Sequence, residues 1–371
     1  MTLPTIVVIM AGGTGSRFWP LSHKKRPKQL LHLIDPSCTL LEESIRNASL
    51  FASSEQILIA ASAELETAIR DAAADIPPQN VLAEPLRRNT AGCLAFATAH
   101  ILARFETYHD DLVMALMTAD HHIGKPDLFL AAARSALAFA EAHESLVVFG
   151  MKPTRPETGY GYIEVAESAK AVSGNKESPV FPVNRFHEKP SLEQARLYLA
   201  SGRFYWNSGL YIWRITTLLK SLEQWAPQWA DSIYAMRDVL RDHVNNKEKI
   251  HAIFERLPDR SIDYALMEKA DNLVMIPGDF AWDDVSTWDA LSRFWPRDEN
   301  GNVIIGDAIA DQCGNVTIYN EMGLETMPVG VVGLTDAVVV ATSRGLLVCS
   351  KEHVHDVKKI VDALRENGYP F

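Results

Sequence analysis

A glycine-rich segment followed by basic residues offers the clearest chemistry in this sequence. It runs Ala11-Gly12-Gly13-Thr14-Gly15-Ser16-Arg17, and Lys28 follows Pro27 a short distance downstream. Glycines let the backbone approach a phosphate closely and turn its N–H groups toward the anion. The proline ring stiffens the approach of Lys28. Two fixed cations, Arg17 and Lys28, beside such a loop suit a triphosphate whose β and γ groups leave together.

Two common phosphate-binding classes do not fit this loop. A dinucleotide-binding fingerprint needs a third glycine opening a helix, whereas Phe18 stands at that position and Pro20 discourages a helix interior. A Walker loop needs G-x-x-x-x-G-K-[ST], which the sequence lacks. Lys24 and Lys25 are expected to be solvated surface residues.

Carboxylates suggest a metal site. Asp120 follows directly after an apolar segment, where a turn or cap role competes with metal binding. Mg²⁺ prefers oxygen and usually takes one or two protein carboxylates together with phosphate oxygens. Asp283 and Asp284 are both candidates for the second ligand, and spacing alone does not choose between them. His121 and His122 are expected to cap or hydrogen-bond instead.

Short apolar runs alternate with helical stretches in the first half of the chain. The apolar runs are Thr5–Met10, Ile57–Ala61, Leu112–Met117 and Leu146–Gly150. The helical stretches are Leu40–Ala52, Ala63–Ala74, Thr90–Glu106 and Leu128–His143. This alternation predicts an α/β fold with a mostly parallel sheet covered on both faces. Ligands of such sheets bind beyond the carboxyl ends of the strands, where Gly12 and Asp120 are expected.

The second half has a different organisation. Strand and turn signals are mixed over 160–213, and further helices are predicted at Thr216–Trp225, Gln228–Asn245 and Ile262–Lys269. Turn residues at 296–301 indicate a boundary between a catalytic domain, 1–296, and a small β domain, 297–371. The runs that predict strands in the β domain are Asn315–Tyr319, Gly330–Leu334, Ala337–Ala341 and Leu346–Ser350. A terminal helix is predicted from about His353 to Asn367.

Composition narrows the class of protein. The 371 residues carry a net charge of −11, which argues against nucleic acid as a partner because such binding needs a basic face. No apolar run approaches the roughly 20 residues of a membrane helix, and Thr5–Met10 is too short for a signal peptide. The cysteines form no CxxC pair, which suits a reducing compartment. We therefore expect a cytoplasmic protein without a membrane partner.

Further motifs make the whole chain resemble the mannose-1-phosphate guanylyltransferases (GDP-mannose pyrophosphorylases) of the nucleotidyltransferase superfamily. Besides the glycine loop and Pro27-Lys28-Gln29, the matching motifs are Glu84-Pro85-x-x-Arg88-Asn89-Thr90-Ala91, Ala119-Asp120-His121, Thr158-Gly159-Tyr160-Gly161-Tyr162-Ile163, Phe186-His187-Glu188-Lys189-Pro190, Trp206-Asn207-Ser208-Gly209, Ser261-Ile262-Asp263-Tyr264 and Trp282-Asp283-Asp284-Val285. The resemblance implies a Rossmann-like, GT-A-like mixed sheet and a small C-terminal domain that is left-handed β-helix-like. It also implies GTP and mannose 1-phosphate as substrates, GDP-mannose and pyrophosphate as products, and Mg²⁺ as the metal.

The resemblance assigns roles to individual residues. The phosphates of GTP would lie on Ala11, Gly12, Gly13, Thr14, Gly15, Ser16, Arg17 and Lys28. The guanine and ribose would face Glu84, Arg88, Asn89, Thr90 and Ala91. The metal ligands would be Asp120 and Asp284. The sugar would contact Gly161, Glu188 and Asn207, with Lys189 on its phosphate.

Other interpretations compete at several positions. Glu188 and Lys189 could form a surface ion pair, Asn207 could belong to a turn, and Asn89 could be a helix N-cap. Ser286 replaces the glycine usual after the family's Asp-Val pair, which changes backbone freedom but removes no ligand. The same fold would also suit a nucleotidyltransferase for another sugar phosphate or base. A catalytically silent nucleotide-sugar sensor is a further alternative. Isomerase activity is not expected. The sequence does not fix the oligomeric state, and the apolar runs of the β domain offer a candidate surface for a homodimer, a form that is common in the family.

Overall fold

The computed structural model describes residues 3–105, 112–166, 171, 179–242, 247–323 and 325–369. The chain divides into two compact units. The large unit contains residues up to Gly12 and the segment 44–283, and the small unit contains 13–43 and 284 onward. The predicted ends at Glu106 and Asn245 lie outside the described residues. The predicted domain boundary between 296 and 297 stays a prediction.

The strands of the large unit are short and mostly buried, and several of them are rich in the β-branched residues that favour strands. They are β1 (Thr5–Met10), β2 (Ile57–Ser62), β3 (Val81–Glu84), β4 (Val113–Thr118), β5 (His122–Ile123), β6 (Leu146–Met151), β7 (Tyr162–Val165), β8 (Phe181–His187), β9 (Phe204–Arg214), β10 (Leu273–Gly278) and β11 (Trp282–Asp283). All except β5 and β11 belong to one nine-stranded sheet with the order β3-β2-β1-β4-β9-β6-β10-β8-β7.

The sheet is mixed rather than mostly parallel. Strands β1 to β4 pair in parallel, and so do β6 and β10. Strand β9 lies antiparallel between β4 and β6, and β7 and β8 add antiparallel pairs at the far edge. The expectation of a mostly parallel sheet fails in the region whose strand signals are mixed, whereas the mixed sheet implied by the family resemblance is confirmed.

Helices cover both faces of this sheet. They are α1 (Leu40–Ala48), α2 (Glu66–Ala72), α3 (Asn89–Arg104), α4 (Pro126–Ala142), α5 (Leu192–Ser201), α6 (Ile215–Trp225), α7 (Pro227–Arg241) and α8 (Lys247–Glu255), with one π-helical turn at Asp263–Met267. Successive strand residues point to opposite faces. In β6, Val148 joins the core that contains α3, α6 and α7, whereas the ring of Phe149 contacts Phe129 of α4. Among the described residues, no helix combines the length and apolarity needed to cross a membrane.

The small unit is built from short stacked strands. They are β12 (Val303–Ile305), β13 (Ala308–Asp311), β14 (Thr317–Asn320), β15 (Val329–Val332), β16 (Ala337–Thr342) and β17 (Gly345–Ser350), and helix α9 (Val357–Glu366) follows. Strands β12, β14 and β16 pair in parallel, as do β13 and β15, which gives a β-helix-like stack with β17 added antiparallel. Gly306 forms one tight turn at φ +78°. This turn requires glycine because an added Cβ would lie 2.0 Å from the carbonyl oxygen of Asn320.

Residues from both chain segments build the core of the small unit. Phe18, Leu21 and Leu31 from the first segment pack in one buried cluster with Trp288 and Val340 from the second. The Phe18 and Trp288 rings meet edge to face, with their centroids 5.1 Å apart. Residues directly around the glycine loop are therefore held by the apolar core of the small unit.

Candidate active site

The sheet register places two predicted site residues at one edge of the large unit. Met10 of β1 pairs with Thr118 of β4, so Gly12 and Asp120 each lie two residues beyond paired strand ends. The Asp120 side chain is 33% exposed, and its Oδ1 lies 3.9 Å from Nε2 of His121. The predicted position of both residues beyond the carboxyl ends of the strands is confirmed.

His121 has the hydrogen-bonding role expected of it. Its Nδ1 accepts a hydrogen bond from Nε1 of Trp282 at 3.1 Å, and the two rings meet edge to face. The Trp282 ring also meets the ring of Tyr160 edge to face. These aromatic contacts fix the orientation of the imidazole beside the Asp120 carboxylate.

In the small unit, the glycine loop lies directly against Lys28. Gly15 has φ +62°, and a Cβ there would lie 2.4 Å from Cβ of Lys28, so the contact requires glycine. The Ser22 hydroxyl donates to the Gly15 carbonyl at 2.7 Å, which holds the loop closed. Arg17 lies in a short 3-10 turn and is exposed. The glycine loop and Lys28 therefore pack directly against each other.

The buried Lys28 also contacts the backbone of the second predicted metal ligand. Only 6% of Lys28 is exposed, and its Nζ donates to the backbone carbonyl of Asp284. The next residue, Val285, is fully buried at φ +46°, a conformation that costs a β-branched residue about 1–3 kcal/mol. Such a cost persists only where the surroundings enforce it, so the backbone that carries Asp284 is firmly positioned.

The two neighbouring aspartates have different environments. Asp283 is 9% exposed and belongs to β11, where it pairs with His122 of β5 in the large unit. Asp284 is half-buried and belongs to the small unit with Lys28. The two residues thus differ in their backbone partners: Asp283 pairs with strand β5, whereas the carbonyl of Asp284 accepts a hydrogen bond from Lys28.

The predicted sugar-contacting residues converge in the large unit. The backbone N–H of Asn207 donates to the carbonyl of Gly161 at 2.8 Å, and a Cβ on Gly161 would lie 2.5 Å from Oε2 of Glu188. The Glu188 side chain is 6% exposed and pairs with Nζ of Lys189 at 2.8 Å. Burial raises the pKa of Glu188, and the nearby charge of Asp263 raises it further. Glu188 and Lys189 do pair, yet the carboxylate is too buried for an ordinary surface ion pair.

Asp263 and Tyr211 are site residues that the sequence analysis did not assign. Nδ2 of Asn207 donates to the Tyr211 hydroxyl at 2.9 Å and to Oδ1 of Asp263 at 3.1 Å. The Tyr211 hydroxyl in turn donates to the same Asp263 oxygen at 2.7 Å. The backbone N–H of Gly209 donates to Oδ1 of Asn207, so both ends of this amide are fixed. The motif that contains Asp263 was the only signal for it, because no periodicity links it to Asn207.

The segment 84–91 begins at the end of β3 in the large unit. Glu84 is the last residue of that strand, and a Cβ on Gly12 would lie 3.8 Å from its Oε1. Burial raises the pKa of Glu84 to about 7, although a hydrogen bond with Cys93 opposes the shift. Glu84 therefore changes charge near neutral pH.

The rest of the segment 84–91 is held in part by the loop that precedes Asp263. Thr90 Oγ1 accepts from the N–H of Ile262 at 2.9 Å, and the N–H of Ala91 donates to the carbonyl of Arg260. Arg88 donates to a carbonyl of α8 at 2.9 Å. The predicted N-cap role of Asn89 is wrong in position, because α3 begins at Asn89 itself. Its Oδ1 nevertheless accepts the N–H of Thr90 at 2.9 Å.

The donor set can be compared with the demands of a metal. Within the described residues, no three or more His, Cys, Asp or Glu side chains cluster as a closed metal site. Mg²⁺ does not need such a cage, since it binds through one or two carboxylates and completes its shell with phosphate and water. Asp120 in the large unit and Asp284 in the small unit each carry a partly exposed carboxylate, a donor of the kind that Mg²⁺ prefers.

Comparisons with known proteins agree with this geometry. The nucleotidyl transferase family model matches residues 6–300, and a MannoseP isomerase/GMP-like beta-helix domain matches residues 315–364. The chain belongs to the nucleotidyl transferase family, whose members are enzymes.

Curated relatives and a solved structure show which members of this family the chain resembles. Mannose-1-phosphate guanylyltransferase of Escherichia coli (strain K12) is 36% identical over 97% of this chain and 73% of its own length. That of Klebsiella pneumoniae is 37% identical over 99% of this chain and 74% of its own length. The crystal structure of mannose-1-phosphate geranyltransferase from Thermus thermophilus has a TM-score of 0.84 and 30% identity, covering 98% of this chain and all of that one. These relatives place the chain among the mannose-1-phosphate guanylyltransferases of that family.

Proposed function

We propose that this protein transfers GMP from GTP to α-D-mannose 1-phosphate, forming GDP-mannose and pyrophosphate. The observation that carries the proposal is the contact of Lys28 with the glycine loop and with Asp284. It places a buried cation against the glycine loop and on the backbone of a residue whose carboxylate can hold a metal. The relationship to mannose-1-phosphate guanylyltransferases supports the choice of sugar and base.

The chemistry requires charge control rather than a general base. An oxygen of the sugar phosphate attacks the α-phosphorus of GTP in line, and the bond from that phosphorus to the β-phosphate oxygen breaks. The sugar phosphate is mostly dianionic at neutral pH because its second pKa is about 6. It therefore needs no residue to remove a proton. Arg17 and Lys28 would stabilise the pyrophosphate, and Lys189 would stabilise the attacking phosphate.

Asp120 and Asp284 would hold Mg²⁺ when it is bound. A divalent ion bound to phosphate oxygens neutralises charge and orients the reacting groups. The strained backbone at Val285 would position the Asp284 carboxylate for this task, and the fixed ring of His121 would support Asp120. Asp284 matches the family's Asp-Val pair and its backbone bonds to Lys28, which favours it over Asp283 as the metal ligand.

The polar network of the large unit would bind the sugar. Glu188 and Asn207 offer an acceptor and a fixed amide for sugar hydroxyls, while Gly161 leaves room for the ring beside them. Tyr211 and Asp263 would act as positioning residues because both accept hydrogen bonds from Nδ2 of Asn207. On the nucleotide side, the guanine and ribose would lie along Glu84, Arg88, Asn89, Thr90 and Ala91.

An assay of pyrophosphate release tests the proposal. The enzyme is incubated with GTP and mannose 1-phosphate in the presence of Mg²⁺, and each substrate is then exchanged for another nucleotide triphosphate or sugar phosphate. We expect the highest kcat/KM for the GTP and mannose 1-phosphate pair. A higher value for a different pair would reassign the substrates, and the absence of turnover with every pair would favour a silent sensor.

Gly161→Ala is expected to raise KM for mannose 1-phosphate about tenfold while the KM for GTP changes little. The added methyl would meet the buried Glu188 carboxylate at 2.5 Å and displace it. Gly159→Ala is the matched control, since a Cβ there meets only an ordinary contact at 3.5 Å from Glu157. Equal KM values for the sugar phosphate in both variants would remove Glu188 from the sugar site.

The KM for GTP is expected to fall several-fold as the pH rises from about 6 to about 8. Because the pKa of Glu84 is raised to about 7, its carboxyl is neutral below that pH and ionised above it. The ionised form accepts hydrogen bonds from both guanine N1–H and the 2-amino group. Glu84→Gln cannot ionise and should retain only the pH dependence of GTP itself. Identical profiles for the two proteins would contradict the role of Glu84 in base recognition.

Assembly and location complete the proposal. The small unit exposes apolar side chains on its outer strands, including Ile309, Val332, Leu346 and Val348, and this surface suits a homodimer interface. Light scattering with size-exclusion chromatography would measure the mass in solution. All four cysteines are free thiols, which supports a reducing compartment such as the cytoplasm.

A further inference from the structure

A cavity of about 520 Å³ lies in the large unit, lined by residues that have no role in the proposed reaction. Its volume is within the range of about 300–1,000 Å³ that is usual for small-molecule sites. The walls come from α2, β3, the residue Pro85 after it, and helices α3, α7 and α8. It therefore lies between these helices and the edge of the sheet.

The walls of this cavity are largely apolar. Leu82 of β3, Phe96 of α3 and Ile250 of α8 are buried, and Val239 and Leu240 of α7 are half-buried. Side chains of this kind favour an apolar or aromatic body in a ligand because its transfer from water is favourable.

Cationic groups stand at the same cavity. Phe96, His100 and Arg104 are spaced by four residues on α3, so they lie on one face of the helix and all line the cavity. The guanidinium of Arg104 has one long hydrogen bond, 3.5 Å to Oδ1 of Asn80, among the described residues. A guanidinium carries five N–H donors, so most of this capacity is available to a ligand. Desolvation by the surrounding residues lowers the pKa of Arg104, while part of its side chain stays exposed to solvent.

Other charges at the cavity add to this preference. Lys247, the first residue of α8, forms no ion pair with any residue that the structure describes. Arg70 is already paired with Glu66 at 2.7 Å, so these two charges cancel. Burial, followed by the charge of Arg104, lowers the pKa of His100 to about 3, so its ring is neutral at physiological pH. The excess positive charge comes from Arg104 and Lys247.

We propose that this cavity is a second binding site of the protein, which takes a small amphipathic anion: a phosphate, sulfonate or carboxylate on an apolar or aromatic body. The anionic group binds Arg104 and Lys247, and the body lies against Leu82, Phe96 and Val239. His100 supplies a neutral hydrogen-bonding group between them. The site lies in a chain of net charge −11, so its local positive charge is a property of these residues and not of the whole protein.

The cavity also lies next to the nucleotide segment. Ala83 and Pro85 line it on either side of Glu84 in the chain, and the helix that carries Arg104 begins at Asn89. If GTP binds as proposed above, occupancy of the cavity should change KM for GTP. This effect depends on the proposed function, whereas binding itself is measured without any substrate.

The test uses anilinonaphthalene sulfonate, an aromatic sulfonate, titrated into the full-length protein by isothermal calorimetry. We expect a one-to-one complex whose affinity falls about tenfold or more in Arg104→Gln/Lys247→Gln, the scale of losing charge-assisted hydrogen bonds. Val239→Trp should weaken binding by filling the cavity without altering its charge. Arg196→Gln, on the exposed surface of α5, is the matched control and should bind as the wild type does.

Several outcomes would overturn the proposal. They are the absence of saturable binding, or equal affinities for the wild type, the double variant and Val239→Trp. Loss of probe binding in Lys28→Ala alone would place the probe on the glycine loop and would equally contradict it. Melting temperatures and kcat without the probe are measured for the double variant, Val239→Trp and Arg196→Gln, and both should match the wild type. Lys28→Ala is compared for probe binding alone. Val239→Trp keeps the proposal testable if the double variant does not fold.

Discussion

Asp284→Asn should lower Mg²⁺-dependent turnover by about a thousandfold, the scale of several kcal/mol of metal stabilisation of the transition state. Asparagine keeps the size of the side chain but removes the charge, so it holds a hard cation poorly. Lys28 bonds to the backbone carbonyl of Asp284, which the substitution leaves in place. The folded structure and the phosphate loop should therefore survive, and the loss should appear in kcat and in the Mg²⁺ concentration required.

The neighbouring residue provides a control of the same chemistry. Asp283→Asn changes the same charge by the same amount, one residue earlier, in a strand pair with His122. We expect kcat and the Mg²⁺ requirement of that variant to stay close to those of the wild type. The opposite result, with Asp283→Asn inactive and Asp284→Asn active, would assign the metal to Asp283. Calorimetric titration of Mg²⁺ in the presence of GTP gives an independent measure of the same difference.

Lys28→Ala is expected to reduce kcat/KM for GTP by roughly 10²-fold or more, as for the loss of one preorganised donor. The ammonium group is buried and held on the Asp284 carbonyl beside the loop, so its position is fixed before any substrate binds. Such a group costs little reorganisation when charge develops on the departing pyrophosphate. The effect should be seen with every nucleotide triphosphate, because Lys28 would act on phosphates and not on the base.

Lys25→Ala serves as the comparison for Lys28→Ala. Lys25 belongs to the same basic cluster but is exposed, and removing it should change kcat/KM very little. Near-normal kcat/KM in Lys28→Ala would exclude this residue from the reaction. A fall in melting temperature that matches the fall in activity would assign it a structural role, so thermal unfolding is measured in parallel.

The sequence predicted the parallel half of the sheet well because buried strands there are continuous apolar runs. Strand β1 has the predicted bounds, and β2, β4 and β6 begin or end within one residue of theirs. The antiparallel strand β9 was not predicted between β4 and β6, because that pairing joins residues far apart in the chain. Burial in β9 alternates over the first six residues and is continuous from Leu210 to Trp213, and no short turn links the strand to either neighbour.

The candidate site was predictable to a similar degree. The motifs named Gly161, Glu188 and Asn207, which the structure brings together, while their role in sugar binding stays a prediction. The link through Tyr211 and Asp263 could not be derived, because side-chain hydrogen bonds between a strand and a distant π-helical turn leave no periodic signal. The raised pKa of Glu84 likewise depends on its burial, which the sequence around it does not specify.

The composition of the small unit from two distant chain segments has a consequence for biosynthesis. Phe18, Leu21 and Leu31 leave the ribosome early, yet Trp288 and Val340, which cover them in the folded core, are translated near the end. The residues that pack around the glycine loop and Lys28 are therefore translated last, whereas the large unit can begin to fold earlier. A nascent chain arrested before the small unit is complete would expose those apolar residues to chaperones, and it would have no assembled phosphate site to use.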